Sequence, residues 1–138
     1  YGPWGRPDMA LFKFVDAMKK KKKINVFNYG KHYRDFTYID DVTEGIYSLI
    51  FKPSKKEPKA DIFNIGSSNP QSLKKYLKYI MQHFSKKPII VLSKFQTGDV
   101  FKTHADIKKL NSKTGFKPKN NIKQGIKKFV DWFKIYHS

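Results

Sequence analysis

The stripe formed by Leu73, Tyr76, Leu77, Ile80, Met81 and Phe84 constrains this chain more than any other feature. Spaced three and four apart, these residues put one apolar face on a helix, and that face must be covered. Ile122, Ile126, Phe129, Val130 and Phe133 repeat the pattern near the C-terminus, and Leu11, Phe12, Val15 and Met18 carry it near the start. Short runs between these stripes read as strands: Ile24 to Phe27, Asp35 to Ile39, Ile62 to Ile65 ended by Gly66, and the IIVL run after Pro88. A helix capped by Asp40-Asp41 is expected to carry Val42, Ile46, Leu49 and Ile50. A shorter one spans Asp106 to Thr114 and stops at Gly115. Asp8, after Pro7, reads as the N-cap of the first helix. Asn28-Tyr29-Gly30 reads as a turn, and Pro53 to Ala60 as a polar loop. The order is helix, strand, strand, helix, strand, helix, strand, helix, helix, which predicts one mixed α/β domain over residues 1–138.

The chemistry open to such a domain is narrowed by what it lacks. Without cysteine, disulfides and thiolate metal sites are excluded, and a reducing compartment, the cytoplasm, is expected. No apolar run approaches the roughly 20 residues that span a bilayer, and no secretory signal pattern opens the chain. A membrane partner is not expected. The four histidines (His32, His83, His104 and His137) share no ligand spacing with acids, so they read as surface or half-buried side chains and not as a metal site. Asp40 and Asp41 read as helix-start acids and not as a catalytic pair, because adjacent residues point different ways. None of the patterns GxGxxG, GxxxxGK[ST], GxSxG or HExxH occurs.

Charge points to an anionic partner. Lys and Arg number 29 against 11 acids, a net charge of +18, which attracts nucleic acid, anionic membrane or a phosphorylated small molecule. The lysines are spread through every segment, with one run from Lys19 to Lys23, and the aromatics sit at core spacing. That pattern argues against a single nucleic-acid-binding stripe and for a solvated lysine surface. Only Arg6 and Arg34 are arginines. Their planar fork suits phosphate and carboxylate recognition, and both lie in turns beside mobile backbone. From the residues alone, each reads equally well as an anion reader or as an ordinary surface ion pair.

Five blocks carry a resemblance: YGPWGRPDMALFKF, NVFNYGKHYRDFTYIDDVTEGI, IFNIGSSNPQSL, GDVFKTHADIKKL and TGFKPKNNIKQGI. In this order they resemble the nucleotide-sugar epimerases of the extended short-chain dehydrogenase/reductase family, over nearly the whole chain. RDF-x-YIDD and NIG are shared across that superfamily, whereas YGPWGRPDMALF resembles the narrower group of UDP-glucuronate 4-epimerases. The implied fold is the mixed α/β C-terminal substrate-binding lobe of such an enzyme, with the Rossmann domain absent from this chain. Neither a glycine-rich phosphate loop after a strand nor a tyrosine followed four positions later by lysine is present. The chain is therefore expected to be part of a longer enzyme and to hold no catalytic residue.

The resemblance also implies an activity and a division of labour. Hydride passes from C4 of the sugar to NAD, the ketone rotates, and hydride returns to the opposite face, interconverting UDP-glucuronate and UDP-galacturonate. NAD is held mainly by the missing N-terminal domain, through which homodimers of the family also pair. This portion grips the UDP-sugar. Arg34 of the YRDF block matches the arginine that contacts the diphosphate. Phe27, with the backbone of Val26 and Asn28, matches the strand against the uracil ring. Met9, Ala10 and Leu11 match the helix start whose backbone meets the base. Gln96 stands where UDP-galactose epimerases carry an arginine, Asp99 of the GDV turn matches a ribose-contacting acid, and Arg6 is assigned to the sugar end. Set against these, Phe27 also reads as core, Asp99 as a turn residue and Gln96 as a solvent-facing one, while Asn64 and Gly66 are structural. Thr97, where the family commonly has proline, and the lysine run depart from the pattern. Other epimerases, dehydratases or decarboxylases of the superfamily stay open, as do a basic nucleic-acid-binding module and a folded remnant without function.

Overall fold

The structure, a computed structural model, describes residues 1–55 and 60–137. Part of the polar loop expected over Pro53 to Ala60 lies outside the described residues. The helices are α1 (Ala10–Lys19), α2 (Ile39–Ile50), α3 (Leu73–Met81), α4 (Lys108–Thr114) and α5 (Ile122–Tyr136). The strands are β1 (Ile24–Val26), β2 (Tyr33–Arg34), β3 (Gln71–Ser72) and β4 (Ile90–Leu92).

The three apolar stripes meet one another, as their periodicity demands. α3 packs on both α1 and α5. Val15 and Phe14 of α1, Tyr76 and Ile80 of α3, and Phe129 and Phe133 of α5 are buried in one core, closed by Ile24 and Val26 of β1. Each such side chain contributes about 1.5–3 kcal/mol by leaving water. Phe36 stacks flat on Tyr76, ring centres 3.9 Å apart. Two small sheets complete the fold. β1 runs parallel to β4, with Ile24 opposite Ile90, and β2 runs antiparallel to β3, with Arg34 opposite Gln71. The 93–107 segment lies along the other side of β2: the Tyr33 N–H donates to the Phe101 carbonyl at 3.0 Å, and the Thr103 N–H to the Tyr33 carbonyl at 3.2 Å.

Several sequence expectations yield to side-chain chemistry. No strand forms over Asp35 to Ile39, because β2 ends where the Asp35 carboxylate begins to take backbone donors. It accepts the N–H groups of Ser68 at 3.0 Å, Asn69 at 3.2 Å and Ala105 at 2.9 Å, and the Ser67 hydroxyl. Such local bonds compete with ladder pairing. Gly66 is required beside them, since a Cβ there would stand 2.9 Å from Asp35 Oδ2 and overlap Ala105. The expected strand at Ile62 to Ile65 is in no ladder. Phe27 leaves β1 for a 3-10 turn (Phe27–Gly30), in which Asn28 and Tyr29 adopt φ of 49° and 52°.

Neither expected carboxylate cap forms on α1 or α2. Met9 precedes α1 and Tyr38 precedes α2, both without side-chain bonds, and Asp8 is occupied by Arg6. Asp40 and Asp41 lie in the first turn of α2, where the dipole favours acids, but their roles diverge. Asp40 is exposed and reaches Lys128 at 3.2 Å. Asp41, 1% exposed, accepts the N–H groups of Lys119 at 2.9 Å and Asn120 at 3.2 Å, and the Asn120 amide at 2.9 Å. It thereby fixes the approach to α5, which Asn121 and Gln124 start with a capping box. Ile46 and Ile50, expected on this helix, are exposed, and the inward face of α2 carries Gly45, against Ile65 and Phe116.

Two predictions follow from these tethers. Asp41→Ala leaves buried donors without an acceptor and is expected to lower stability by about 3 kcal/mol, whereas Asp40→Ala removes an exposed pair and changes it by less than about 0.5 kcal/mol; urea midpoints of the two variants read the difference. At Asp35 burial works against ionisation, but the hydrogen bonds from Ser67, Ala105, Asn69 and Ser68 outweigh it and hold the carboxyl below its ordinary range. Its contribution is therefore complete above the unfolded value of about 3.9 and is lost as pH falls through the lower folded value. Asp35→Asn is expected to flatten that part of the acid limb in a thermal-melt series.

Candidate functional site

Two hollows meet at Arg34. The larger, about 470 Å³, is bordered by Tyr1, Arg6, Met9, Leu11, Thr37 and Thr103. The smaller, about 260 Å³, is bordered by Asn25, Phe27, His32, Lys13, Leu73 and Asp99. Ala10, Arg34 and Phe36 line both, so one guanidinium serves both spaces.

Backbone pairing fixes where Arg34 emerges. β3 holds one side of β2 and the 93–107 segment holds the other. Arg34 Nη1 donates to the carbonyls of Tyr33 at 2.9 Å and Phe101 at 3.2 Å, and Nη2 to Asp99 Oδ1 at 2.6 Å. The same carboxylate oxygen accepts the Val100 N–H at 2.8 Å. His32 approaches Asp99 from the other oxygen, Nε2 to Oδ2 at 3.4 Å. This histidine is not the surface or half-buried residue expected, being 3% exposed. Its carbonyl accepts the Leu73 N–H at 2.8 Å at the start of α3, and its ring packs on Phe95, centres 5.5 Å apart. Spacing was the available signal: His32 and Arg34 are two apart on the way into a strand, which sets them on one face.

The remaining predicted residues divide. Arg6 forms a two-pronged bond with Asp8, 3.0 Å from Nε and 2.6 Å from Nη2, and that bond holds the Asp8 carboxyl below its usual range and raises Arg6. Met9 is half-exposed on the rim, Ala10 stands between the hollows, and Leu11 is buried with its stripe in the core. Phe27 is 41% exposed, so it borders the hollow instead of filling the core. Val26 is core, and its carbonyl accepts the Ser93 N–H at 3.0 Å. The Asn28 N–H donates to the Lys94 carbonyl at 3.2 Å, and its carbonyl accepts the Lys31 N–H at 2.8 Å. Gln96 is exposed on the loop, where its carbonyl takes the Asp99 N–H at 3.1 Å. Arg6, Met9, Ala10, Leu11, Phe27, Arg34 and Asp99 therefore come together around the paired hollows, while Val26, Asn28 and Gln96 stand off their walls.

Sequence reasoning missed His32, Phe36 and Thr37 as wall residues, and Asp35 as the anchor beneath them. The walls offer a guanidinium, aromatic faces and the N-terminal turn of α1, whose first N–H groups have no acceptor within the helix. Among the described residues, no group of three His, Asp or Glu is placed to hold a metal ion, and no helix is long and apolar enough to cross a membrane.

Known proteins share parts of this sequence and its fold. The model of the NAD dependent epimerase/dehydratase family matches residues 1–66. Protein CapI of Staphylococcus aureus is 39% identical over 151 aligned residues, covering 99% of this chain and 45% of its own. A probable UDP-glucuronate 4-epimerase of Rhizobium meliloti is 36% identical over 148, covering 96% and 43%. Among solved structures, the UDP-glucuronic acid 4-epimerase of Bacillus cereus, in complex with UDP-glucuronic acid and NAD, superposes with a TM-score of 0.88 at 29% identity, over 99% of this chain and 43% of that one. The chain thus spans less than half the length of the relatives it matches. In sequence the chain matches that family's model over residues 1–66, and in fold it resembles the Bacillus cereus UDP-glucuronic acid 4-epimerase over nearly its whole length.

Proposed function

We propose that residues 1–138 form the UDP-sugar-binding lobe of an NAD-dependent 4-epimerase that interconverts UDP-glucuronate and UDP-galacturonate. The observation that carries this reading is the position of Arg34, held by two carbonyls and Asp99 at the wall shared by two hollows. A diphosphate joins a nucleoside to a sugar, so its grip belongs between two such spaces. The UDP-glucuronic acid bound by the Bacillus cereus relative supports the choice of ligand.

Each wall residue then has a task. The exposed face of Phe27 takes the uracil ring, and the first turn of α1 at Met9, Ala10 and Leu11 offers N–H donors to the base or the adjacent phosphate. Val26 and Asn28 support Phe27 through the backbone bonds that hold them to the 93–94 segment. Asp99 accepts from a ribose hydroxyl, and Gln96 follows it on the same loop. Arg34 forms charge-assisted bonds to the diphosphate. At the sugar end, Arg6 meets the uronate carboxylate, an anion that competes with Asp8 for the same fork.

NAD itself does not fit the described residues. A dinucleotide site needs a glycine-rich turn between a strand and a helix, and none of the described helices opens on one. No catalytic step is assigned to the residues described. The uncovered apolar side chains Ile46, Tyr47, Ile50 and Phe51 of the α2 region suit packing against such a further domain.

In the intact protein, Arg34→Ala is expected to weaken UDP binding by about 1.5–3 kcal/mol, the scale of a hydrogen bond to a charged group, which calorimetric titration measures. Phe27→Ala is expected to lose about 1 kcal/mol or more of base stacking, while Gln96→Ala stays within about 0.5 kcal/mol, as for an exposed loop side chain. Undiminished affinity in Arg34→Ala would remove the diphosphate from this wall.

A further inference from the structure

Among the described residues, two buried side-chain polar atoms have no hydrogen-bond partner, the Tyr1 hydroxyl and His32 Nε2. Such atoms are rare in native structures and ask for an explanation. His32 lines the smaller hollow and its Nε2 stands 3.4 Å from Asp99 Oδ2, while the other oxygen of that carboxylate holds Arg34 Nη2 at 2.6 Å. Asp99 therefore stands between a cation whose charge is permanent and a ring whose charge depends on a proton.

We propose that His32 is the positioning partner that takes over Asp99 when a ligand diphosphate draws Arg34 away: the His32 ring takes up one proton from solvent, and its Nε2–H donates to the Asp99 carboxylate. This rests on the reading that the paired hollows bind a UDP-sugar. In the free protein the Arg34 charge already satisfies Asp99 and repels a second cation. Once phosphate oxygens engage Arg34, the carboxylate is left without its partner, and the two negative charges of the diphosphate stand nearby. Both changes favour an imidazolium at His32. Asp99 is the acid within ion-pair reach of the ring. The other charged groups around the site are Asp8 and Lys13, which border the same hollow, Lys94 on the segment carrying Phe95, Lys74 of α3, whose stem lies over Gly30, and Lys31 next in the chain. Exchanging partners keeps Asp99 oriented, so that it remains an acceptor for the ribose.

Linkage gives the sign. A ligand that draws a proton onto the protein binds more tightly as pH falls. UDP-glucuronate is the probe, because its own acidic groups stay ionised across the range used. Titrated into the intact protein, it is expected to bind about fivefold or more tightly at about pH 6 than at about pH 8. Heats measured in buffers of different ionisation enthalpy are expected to report proton uptake. His32→Gln keeps an N–H donor but cannot take up a proton, and its affinity is expected to be independent of pH. Should that variant fail to fold, the proton count and the ring resonances of His32 in the unaltered protein decide, the latter moving to imidazolium positions when the ligand is added. Binding with equal affinity at both pH values and no proton uptake overturns the inference and leaves the UDP-sugar site standing. A pH dependence retained in His32→Gln also removes His32 from this role. No binding at either pH by folded protein overturns the site and the inference together.

Discussion

The Asp35 carboxylate is the tether on which the site depends. It gathers donors from the 67–69 turn and from Ala105, segments remote in sequence, at the residue directly after Arg34. With those segments joined there, β3 and the 93–107 segment flank β2 on opposite sides, and the arginine between them has a fixed point of exit. The same contact explains why the chain stops pairing as a strand at this position and why Gly66 has no room for a side chain. A half-buried carboxylate with this many donors gains more from their hydrogen bonds than it loses by leaving water.

Asp35 is one case of a wider economy in acids. Against 29 basic residues the chain has 11 acidic ones, and several of these join segments far apart. Asp41 receives the backbone of Lys119 and Asn120. Asp61 receives Lys109 at 3.0 Å and Lys113 at 3.4 Å, and its carboxyl is held below the usual range by the hydrogen bond from Lys109. Asp99 receives Arg34. Such long-range bonds offset part of the mutual repulsion of a +18 surface, and they do so at fixed points of the fold. The basic excess thus has a structural counterweight, and the cation at the shared wall is an arginine held by its neighbours instead of one of the solvated lysines.

Much of the fold was legible in the sequence because periodicity survives folding. The stripes of α1, α3 and α5 became the core, the Asn28-Tyr29-Gly30 turn took the left-handed backbone that such turns use, and Gly115 ended α4 in the same region at φ 77°. Errors clustered where a polar side chain had several possible partners. Asp8, Asp40 and Asp41 all read as caps from local pattern. One was taken by Arg6, one by Lys128, and one was buried under the approach to α5. Ile46 and Ile50 kept helical spacing but faced outward, since periodicity defines a face without saying what covers it.

The site divides along the same line. Sequence by itself determined that two arginines stand in turns beside strand and helix starts, and that the RDF and GDV blocks resemble those of nucleotide-sugar epimerases, because residue identity and spacing are local properties. Only tertiary structure decided that Arg34 and Asp99, 65 positions apart, are bonded, that Phe27 faces a hollow, and that His32 is buried against the same carboxylate. Those facts depend on which segments the carboxylate tethers draw together, and hydrogen-bond partners so distant in the chain leave no trace in local composition.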